Sequence, residues 1–468
     1  MPQLWALLGL LLLGGYVHLA RLPAVDWKDD EVGYRNAGLA YARGDFTLNR
    51  EHPFLVKYLY GAAERLLGDG SPTAVRLVSG VAAILTGLVL VAFVRHVAGA
   101  WTGLLAGLLW PVLPHPVQLG VRAESVAPKL ERIANLEAVT VLLLTVATFA
   151  AWLWAERHSW RAALVCGAAL GAAGSSKATA VVVVPVLAGL VAWSAWRRGH
   201  RPRVAQQGLA AAAVAGAVLL LSYAPDLSGA PGHVAAILAN ASAQATGGHA
   251  VIVAGELYPS APWWSLLYWQ WVGQGTLVTA LLAGLAAAAP WRPRLRGRLV
   301  AFLLLSVAVP LAWFSLANGF ILSHYASVYQ PALAVLGALV VADLLGGTAR
   351  SRTVGIVVGG ALVAAATTVT VGYVATHPAD GYSGLERAAA LLPPDARVAV
   401  SGNPFTVAAY LRDARVTAAP GLEESVDAVV LDRRRPVSPQ VQAVLDRGRF
   451  SPVLTTPAST VLAPVPSP

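Results

Sequence analysis

Three groups of charged residues interrupt an otherwise apolar chain of 468 residues. Asp29-Asp30-Glu31 closes a charged run that begins at Asp26. The run Arg122 to Glu137 carries Glu124, Lys129, Glu131 and Arg132, and Lys177 stands alone between two short apolar stretches. Carboxylates gathered near separate cations suit a group transfer from a phosphate. The attacking hydroxyl must lose a proton, which asks for a carboxylate base. The departing phosphate gains negative charge, which asks for Lys, Arg or a metal ion.

The elements that would position these groups are membrane helices. Hydrophobic residues make up 56% of the chain and charged residues 12%, with mean hydropathy +0.61. Soluble domains carry roughly 25% charged residues, so lipid rather than water must cover much of this chain. Apolar runs recur at the length of about 17–25 residues that a bilayer requires. The net charge of +10 sits largely in arginine-rich short loops, where the positive-inside rule puts it; a nucleic-acid partner is excluded on that ground. Cys166 is the sole cysteine, so an intrachain disulfide or paired-cysteine zinc or redox motif is impossible, and it reads as a packing residue.

The first apolar run, 4–20, lacks the basic start and small-residue cleavage site of a signal peptide and reads as a transmembrane helix. Further spans are expected near 74–95, 99–118, 134–155, 161–174, 178–196, 207–223, 263–290, 298–317, 325–346 and 353–375, about eleven in all. The loop 21–73 holds the acidic cluster and, after Pro53, an amphipathic helix suited to the membrane interface. On it Lys57, Gly61, Glu64 and Arg65 share one face, opposite Phe54, Leu55, Tyr58, Leu59 and Leu66. Loops holding Arg95, Arg157, Arg198, Arg294 and Arg350 alternate with loops at 224–262 and 318–324 that hold no Lys or Arg. The arginine loops are therefore expected to be cytoplasmic, with the acidic cluster and the C-terminus outside a plasma membrane. Residues 1–376 form the membrane unit on this reading. Residues 377–468 form a small extracytoplasmic α/β domain, with strands at 397–401, 426–431 and 449–455 and helices at 384–392, 404–411 and 437–446. The Pro/Ser/Thr-rich tail 456–468 is expected to be disordered.

Asp30-Glu31 after a first transmembrane helix resembles the Asp-Glu signature of the GT-C glycosyltransferase superfamily. Asn49-Arg50-Glu51-His52-Pro53-Phe54-Leu55-Val56-Lys57 is similar to the His-Pro-Pro-Leu-x-Lys segment of its protein O-mannosyltransferase and lipid A aminoarabinose transferase group, with Phe54 in place of the second proline. Arg132 to Glu137 resembles the Arg-x-x-x-x-Asp element, with Glu for Asp. Ser175-Ser176-Lys177 resembles its lysine between short spans, and His324-Tyr325 before Pro331 resembles the opening of a late span. The likeness runs, with gaps, over roughly 1–345.

The resemblance implies a polytopic α-helical GT-C fold and a polyprenyl-phosphate sugar donor. It implies transfer to a hydroxyl of a protein, lipid or glycan acceptor on the non-cytoplasmic side, and membrane lipids as surroundings. Attack opposite the leaving group would invert the anomeric centre, as in inverting glycoside chemistry. By the match Asp30 is the base, Glu31 its neighbour at the sugar, and Glu137 a second acidic site. Arg132 and Lys177 hold the donor phosphate; His52, Lys57, His324 and Tyr325 shape the same cavity. Asp29, Asp30, Glu31 and His52 form a set that a divalent ion could join, although no spacing demands a metal.

Each group also has a plainer reading. Asp29 could be a solvated cap, Lys57 a snorkelling lysine, Glu137 a structural partner of Arg132, and Glu124, Lys129 and Glu131 surface charges. Trp263, Trp264, Tyr268, Trp269 and Trp271 read as an interfacial aromatic belt. Asn240-Ala241-Ser242 fits a glycosylation sequon. A transporter or flippase of lipid-linked sugars, and a scaffold whose outer domain binds a partner, are the alternative functions.

Overall fold

The computed structural model describes residues 2–24, 27–68, 72–118, 126–247, 251–317, 321–376, 384–402, 404–411, 414–418, 420, 425–433, 437–456 and 459–465. Among them seven helices are long and apolar enough to cross a membrane, or eight if the pair Ser265–Gln274 and Thr276–Trp291, bent by 117°, forms one broken span. Two shorter apolar helices, Ala100–Val112 and Gln330–Leu345, accompany them. The chain is a multi-pass membrane protein. The count of eleven full spans does not follow, because several apolar stretches fold as helices too short or too bent to cross by themselves.

The two ends of the bundle differ in charge. At one end the arginine loops meet: Glu156 accepts from His96 at 2.8 Å and from Arg296 at 3.5 Å, and Arg292 pairs with Asp343 at 2.6 Å. At the other end the helices Asp29–Tyr41 and Leu55–Leu67 cross over the bundle. Their closest approach is at Gly38 and Gly61. A Cβ at Gly38 would stand 2.2 Å from the Lys57 carbonyl oxygen, and one at Gly61 2.3 Å from the Gly38 carbonyl oxygen. Both contacts are with backbone, which cannot step aside as a side chain can. Gly38→Val is therefore expected to destabilise the folded protein by about 1–3 kcal/mol or more, read as a lower midpoint of thermal unfolding in detergent; an unchanged midpoint would refute the packing.

The helix Leu55–Leu67 is amphipathic, but it turns its polar side inward. Lys57, Gly61 and Glu64 are buried, with Glu64 paired to Arg35 of the neighbouring helix, while Leu59, Leu66 and Leu67 are exposed. In a bilayer interface the protein is the polar partner and lipid the apolar one, which accounts for the orientation.

Near the C-terminus a five-stranded sheet has the order Arg415–Thr417, Arg397–Val400, Ala428–Asp432, Ser459–Pro464, Phe450–Thr455. The first three strands are parallel and the last two antiparallel. The tail departs from its expected disorder: Ser459–Pro464 is an inner strand, with Val461 fully buried. Its hairpin closes through Thr456 and Ser459, whose mutual bonds measure 2.8 and 3.0 Å; Ser and Thr here are turn formers rather than signs of disorder. Strand Arg415–Thr417 is too short to show a period in sequence. Tyr410, at the end of helix Pro404–Tyr410, packs into a cluster with Trp27, Val32 and Tyr34.

Candidate active site

The helix Asp29–Tyr41 is anchored at its start by Glu31. This carboxylate is fully buried and receives four donors: Arg76 Nε and Nη2, both at 2.7 Å, Ala134 N at 2.6 Å and Lys28 N at 2.8 Å. The bond to Lys28 N is half of a capping box. Arg76 begins a spanning helix, and its Nη1 also donates to the Leu22 carbonyl at 2.7 Å. One ion pair thus ties the acidic cluster to the first connection, to helix Thr73–Ala98 and to the 130s segment. Glu31 does not line the cavity that borders this helix.

Asp30, the preceding residue, faces the other way. It lines a cavity of about 140 Å³. Tyr34 lies four residues on, hence on the same helix face, and joins the lining with Glu51, His52, Lys177, Thr179, Asn240, His324 and Tyr325. Tyr34 and His52 meet edge to face at 5.6 Å between ring centroids. The turn bearing His52 is held from behind by Lys57, whose Nζ donates to the carbonyls of Asn49 at 2.6 Å and His52 at 2.8 Å. Lys57 is buried and positions the turn; it neither snorkels nor lines the cavity.

Beneath the lining, Glu137 opens the helix Glu137–Arg157 and accepts from Lys177 Nζ, and its carboxylate lies 3.2 Å from His324 Nε2. Its expected partner Arg132 is elsewhere. Arg132 donates to the carbonyls of Val17 at 2.8 Å and Ala20 at 2.7 Å, satisfying the exposed end of the first helix. Lys177 Nζ also stands 5.0 Å from the centre of the Tyr325 ring. Lys177 is the cap of the 3-10 segment Ala178–Val183, and Ala178 and Thr179 line the cavity. A helical start presents unpaired N–H groups and a partial positive charge, so ammonium and backbone together form an anion-attracting corner.

Burial raises the Asp30 carboxyl above its usual range; Lys28 and Lys177 oppose this, while Glu137 and Glu31 add to it. Burial, reinforced by Lys177 and Lys57, lowers His52 to about 3. His324 is lowered well below the usual imidazole range by burial and then Lys177. Both shifts disfavour the charged imidazole. Among the described lining residues Lys177 is then the formal cation, set against Asp30 and Glu51 on the wall and Glu137 below.

The sequence reading therefore finds Asp30, His52, Lys177, His324 and Tyr325 together at the cavity, with Glu137 beneath them. Glu31, Lys57 and Arg132 do not line it. Lys129 and Glu131 are likewise buried rather than surface charges. In the aromatic belt Trp263 and Trp271 are exposed, but Trp269 is buried. Arg122, Glu124 and the side chain of Asp29 lie outside the described residues. Among the described residues no three His, Cys, Asp or Glu side chains converge to hold a metal, since the Glu31 oxygens are committed to their four donors. Tyr34 was legible as the residue one turn after Asp30, and Arg76 as a lone charge in an apolar run. Asn240 stood out only as part of a glycosylation sequon, and Thr179 carried no signal.

Residues 51–223 match the family model described as dolichyl-phosphate-mannose-protein mannosyltransferase. Curated proteins yield no match. Solved structures match over almost the whole length. ArnT from Cupriavidus metallidurans bound to undecaprenyl phosphate is 15% identical, with TM-score 0.62 over 99% of this chain and 98% of that one. The oligosaccharyltransferase AglB from Archaeoglobus fulgidus, in complex with an inhibitory peptide and a dolichol-phosphate, is 11% identical, with TM-score 0.56 over 92% of this chain and 69% of that one. The arabinofuranosyltransferase AftD from Mycobacteria is 14% identical, with TM-score 0.53 over 99% of this chain and 40% of that one. The chain thus has the GT-C glycosyltransferase fold, and within it residues 51–223 carry the mannosyltransferase-type sequence pattern.

Proposed function

We propose that the protein transfers a sugar from a polyprenyl-phosphate donor to an acceptor hydroxyl, with Asp30 as general base. The observation that carries this reading is that Asp30 and the Lys177 corner line one small cavity. The donor phosphate sits at Lys177 and the N–H groups of Ala178 and Thr179, where the charge of the departing polyprenyl phosphate develops. Asp30 takes the acceptor proton as the hydroxyl oxygen attacks the anomeric carbon and the carbon–phosphate-oxygen bond breaks. Attack from the side opposite the phosphate inverts that carbon. Glu137 and the Tyr325 ring hold Lys177 in place, and Tyr34 and His52 shape the sugar's space. The arginine end is cytoplasmic by the positive-inside rule, so the cavity opens outward. The undecaprenyl phosphate and dolichol-phosphate of two proteins with the same fold support the carrier class.

The test is reconstitution of the full chain in vesicles containing undecaprenyl-phosphate-linked sugars. On addition of a membrane extract that supplies acceptor hydroxyls, acceptor-dependent release of undecaprenyl phosphate is expected; movement of intact donor across the bilayer without release would overturn the reading in favour of a flippase. The pH profile supplies a second measurement. A base must be deprotonated to act, and the Asp30 carboxyl is raised. Activity therefore falls with acid at a higher pH than the ordinary aspartate value of 3.8 would give. An acid limb of kcat/KM at or below that ordinary value would contradict the assignment.

A further inference from the structure

At the arginine end, away from the cavity, the helices Val184–Arg198 and Gly297–Ala312 leave a groove of about 500 Å³ between them. Pro185, Gly189 and Trp193 line one side; Ala301, Leu305 and Val309 line the other. The lining is apolar apart from Arg298 at its end, and Trp193 and Leu305 are 42% and 52% exposed. From Arg298 to Val309 the helical rise of about 1.5 Å per residue gives a length of roughly 16 Å, close to half of a hydrocarbon core about 30 Å thick.

Arg298 closes the groove in an unusual state. Its guanidinium carbon stands 5.0 Å from the Trp152 ring centre and 5.4 Å from that of Trp193. Its Nε and Nη2 are buried and have no hydrogen-bond partner among the described residues. Those two atoms form the edge of guanidinium that grips a carboxylate or phosphate in bidentate fashion. Buried guanidinium N–H groups without an acceptor are costly, and a charge at membrane depth seeks a partner. The neighbouring charges do not supply one. Arg197 lies over the other part of Trp193 at 5.6 Å and Arg198 donates to the Glu156 backbone. The Glu156 carboxylate is engaged by His96 and Arg296.

We infer that this groove binds an anionic phospholipid of the leaflet at the arginine end, an acyl chain lying between the two helices and the headgroup phosphate on Arg298. Charge complementarity selects the headgroup, and the groove's length and side opening select a leaflet lipid. Binding requires the half-exposed Trp193 ring to turn aside, which brings the phosphate to the guanidinium edge.

The experiment is native mass spectrometry of the full chain in mild detergent with equal amounts of phosphatidylglycerol and phosphatidylcholine. Retained phosphatidylglycerol is expected to exceed phosphatidylcholine. Arg298→Gln should cut it about tenfold, the factor set by one charge-assisted bidentate contact. Gly189→Phe tests the tail: a Cβ at Gly189 meets nothing within 4 Å, so the protein accommodates it while the ring fills the groove. This variant is expected to lose phosphatidylglycerol with an unchanged thermal midpoint. Wild-type retention by both variants would overturn the site. So would equal retention of the two lipids, or displacement of phosphatidylglycerol by undecaprenyl phosphate in the wild type but not in Arg298→Gln.

Discussion

Asp30→Asn is expected to lower kcat for sugar transfer by roughly 10²–10⁴-fold, the usual contribution of a positioned general base. The change is nearly isosteric, and Glu31, which anchors the helix start through its four donors, is untouched. Folding and expression should therefore be normal. The effect on donor binding has the opposite sign. The cavity wall carries Asp30 and Glu51, with Glu137 just below, against Lys177. Removing one of these negative charges should help an anionic donor, so KM for the polyprenyl-phosphate sugar stays level or falls while kcat collapses. That pairing marks an interaction needed in the transition state and not in the ground state. Lys177→Met should show the reverse emphasis, with a raised KM, because it removes the ammonium from the phosphate corner. Single-turnover kinetics in vesicles separate the two. If Asp30→Asn retains wild-type turnover, or loses kcat and donor binding together, Asp30 is not the base.

The split between legible and hidden parts of this site has a physical pattern. Asp30, His52, Lys177 and His324 stand out because a polar residue next to an apolar run is conspicuous, and the cavity lies where such runs end. Which of two adjacent carboxylates faces the substrate is another matter. Asp30 and Glu31 differ by one residue, or about 100° around a helix of 3.6 residues per turn. The partner that fixes the rotation, Arg76, lies 45 positions away. Arg132 and Lys57 misled for a related reason. Long cations are read as ligand-binding groups, yet buried carbonyls at helix ends and turns need donors as well. Here both residues serve the backbone, Arg132 at Val17 and Ala20 and Lys57 at Asn49 and His52. In the fold, apolar length located the helices. It could not show that Ser265–Gln274 and Thr276–Trp291 meet at 117°, because a bend at Gly275, with φ +80°, is a local backbone event.

The Arg76 pair carries the larger structural prediction. Both side chains are fully buried, and the pair is bidentate, Nε and Nη2 each at 2.7 Å from separate carboxylate oxygens. Arg76→Met leaves Glu31 as a buried charge with two backbone donors and removes the tie to the Leu22 carbonyl. Breaking such a pair from one side costs about 3–5 kcal/mol, enough to empty the folded state of a marginally stable protein. The expected result is loss of monodisperse protein on detergent extraction, or a sharply lower unfolding midpoint, with transfer lost through displacement of Asp30. Glu31→Gln in the same chain should recover part of that stability. The neutral amide oxygen still accepts from Ala134 N or Lys28 N, and the uncompensated charge is gone. It should not restore full activity, because the helix start then lacks the clamp that aims Asp30 into the cavity. Were Glu31 instead a sugar-binding carboxylate, Arg76→Met would leave stability near wild type and raise KM alone. The double substitution would then be no more stable than the single one. Thermal unfolding of the three variants beside wild type decides between a carboxylate that touches substrate and one that positions its neighbour.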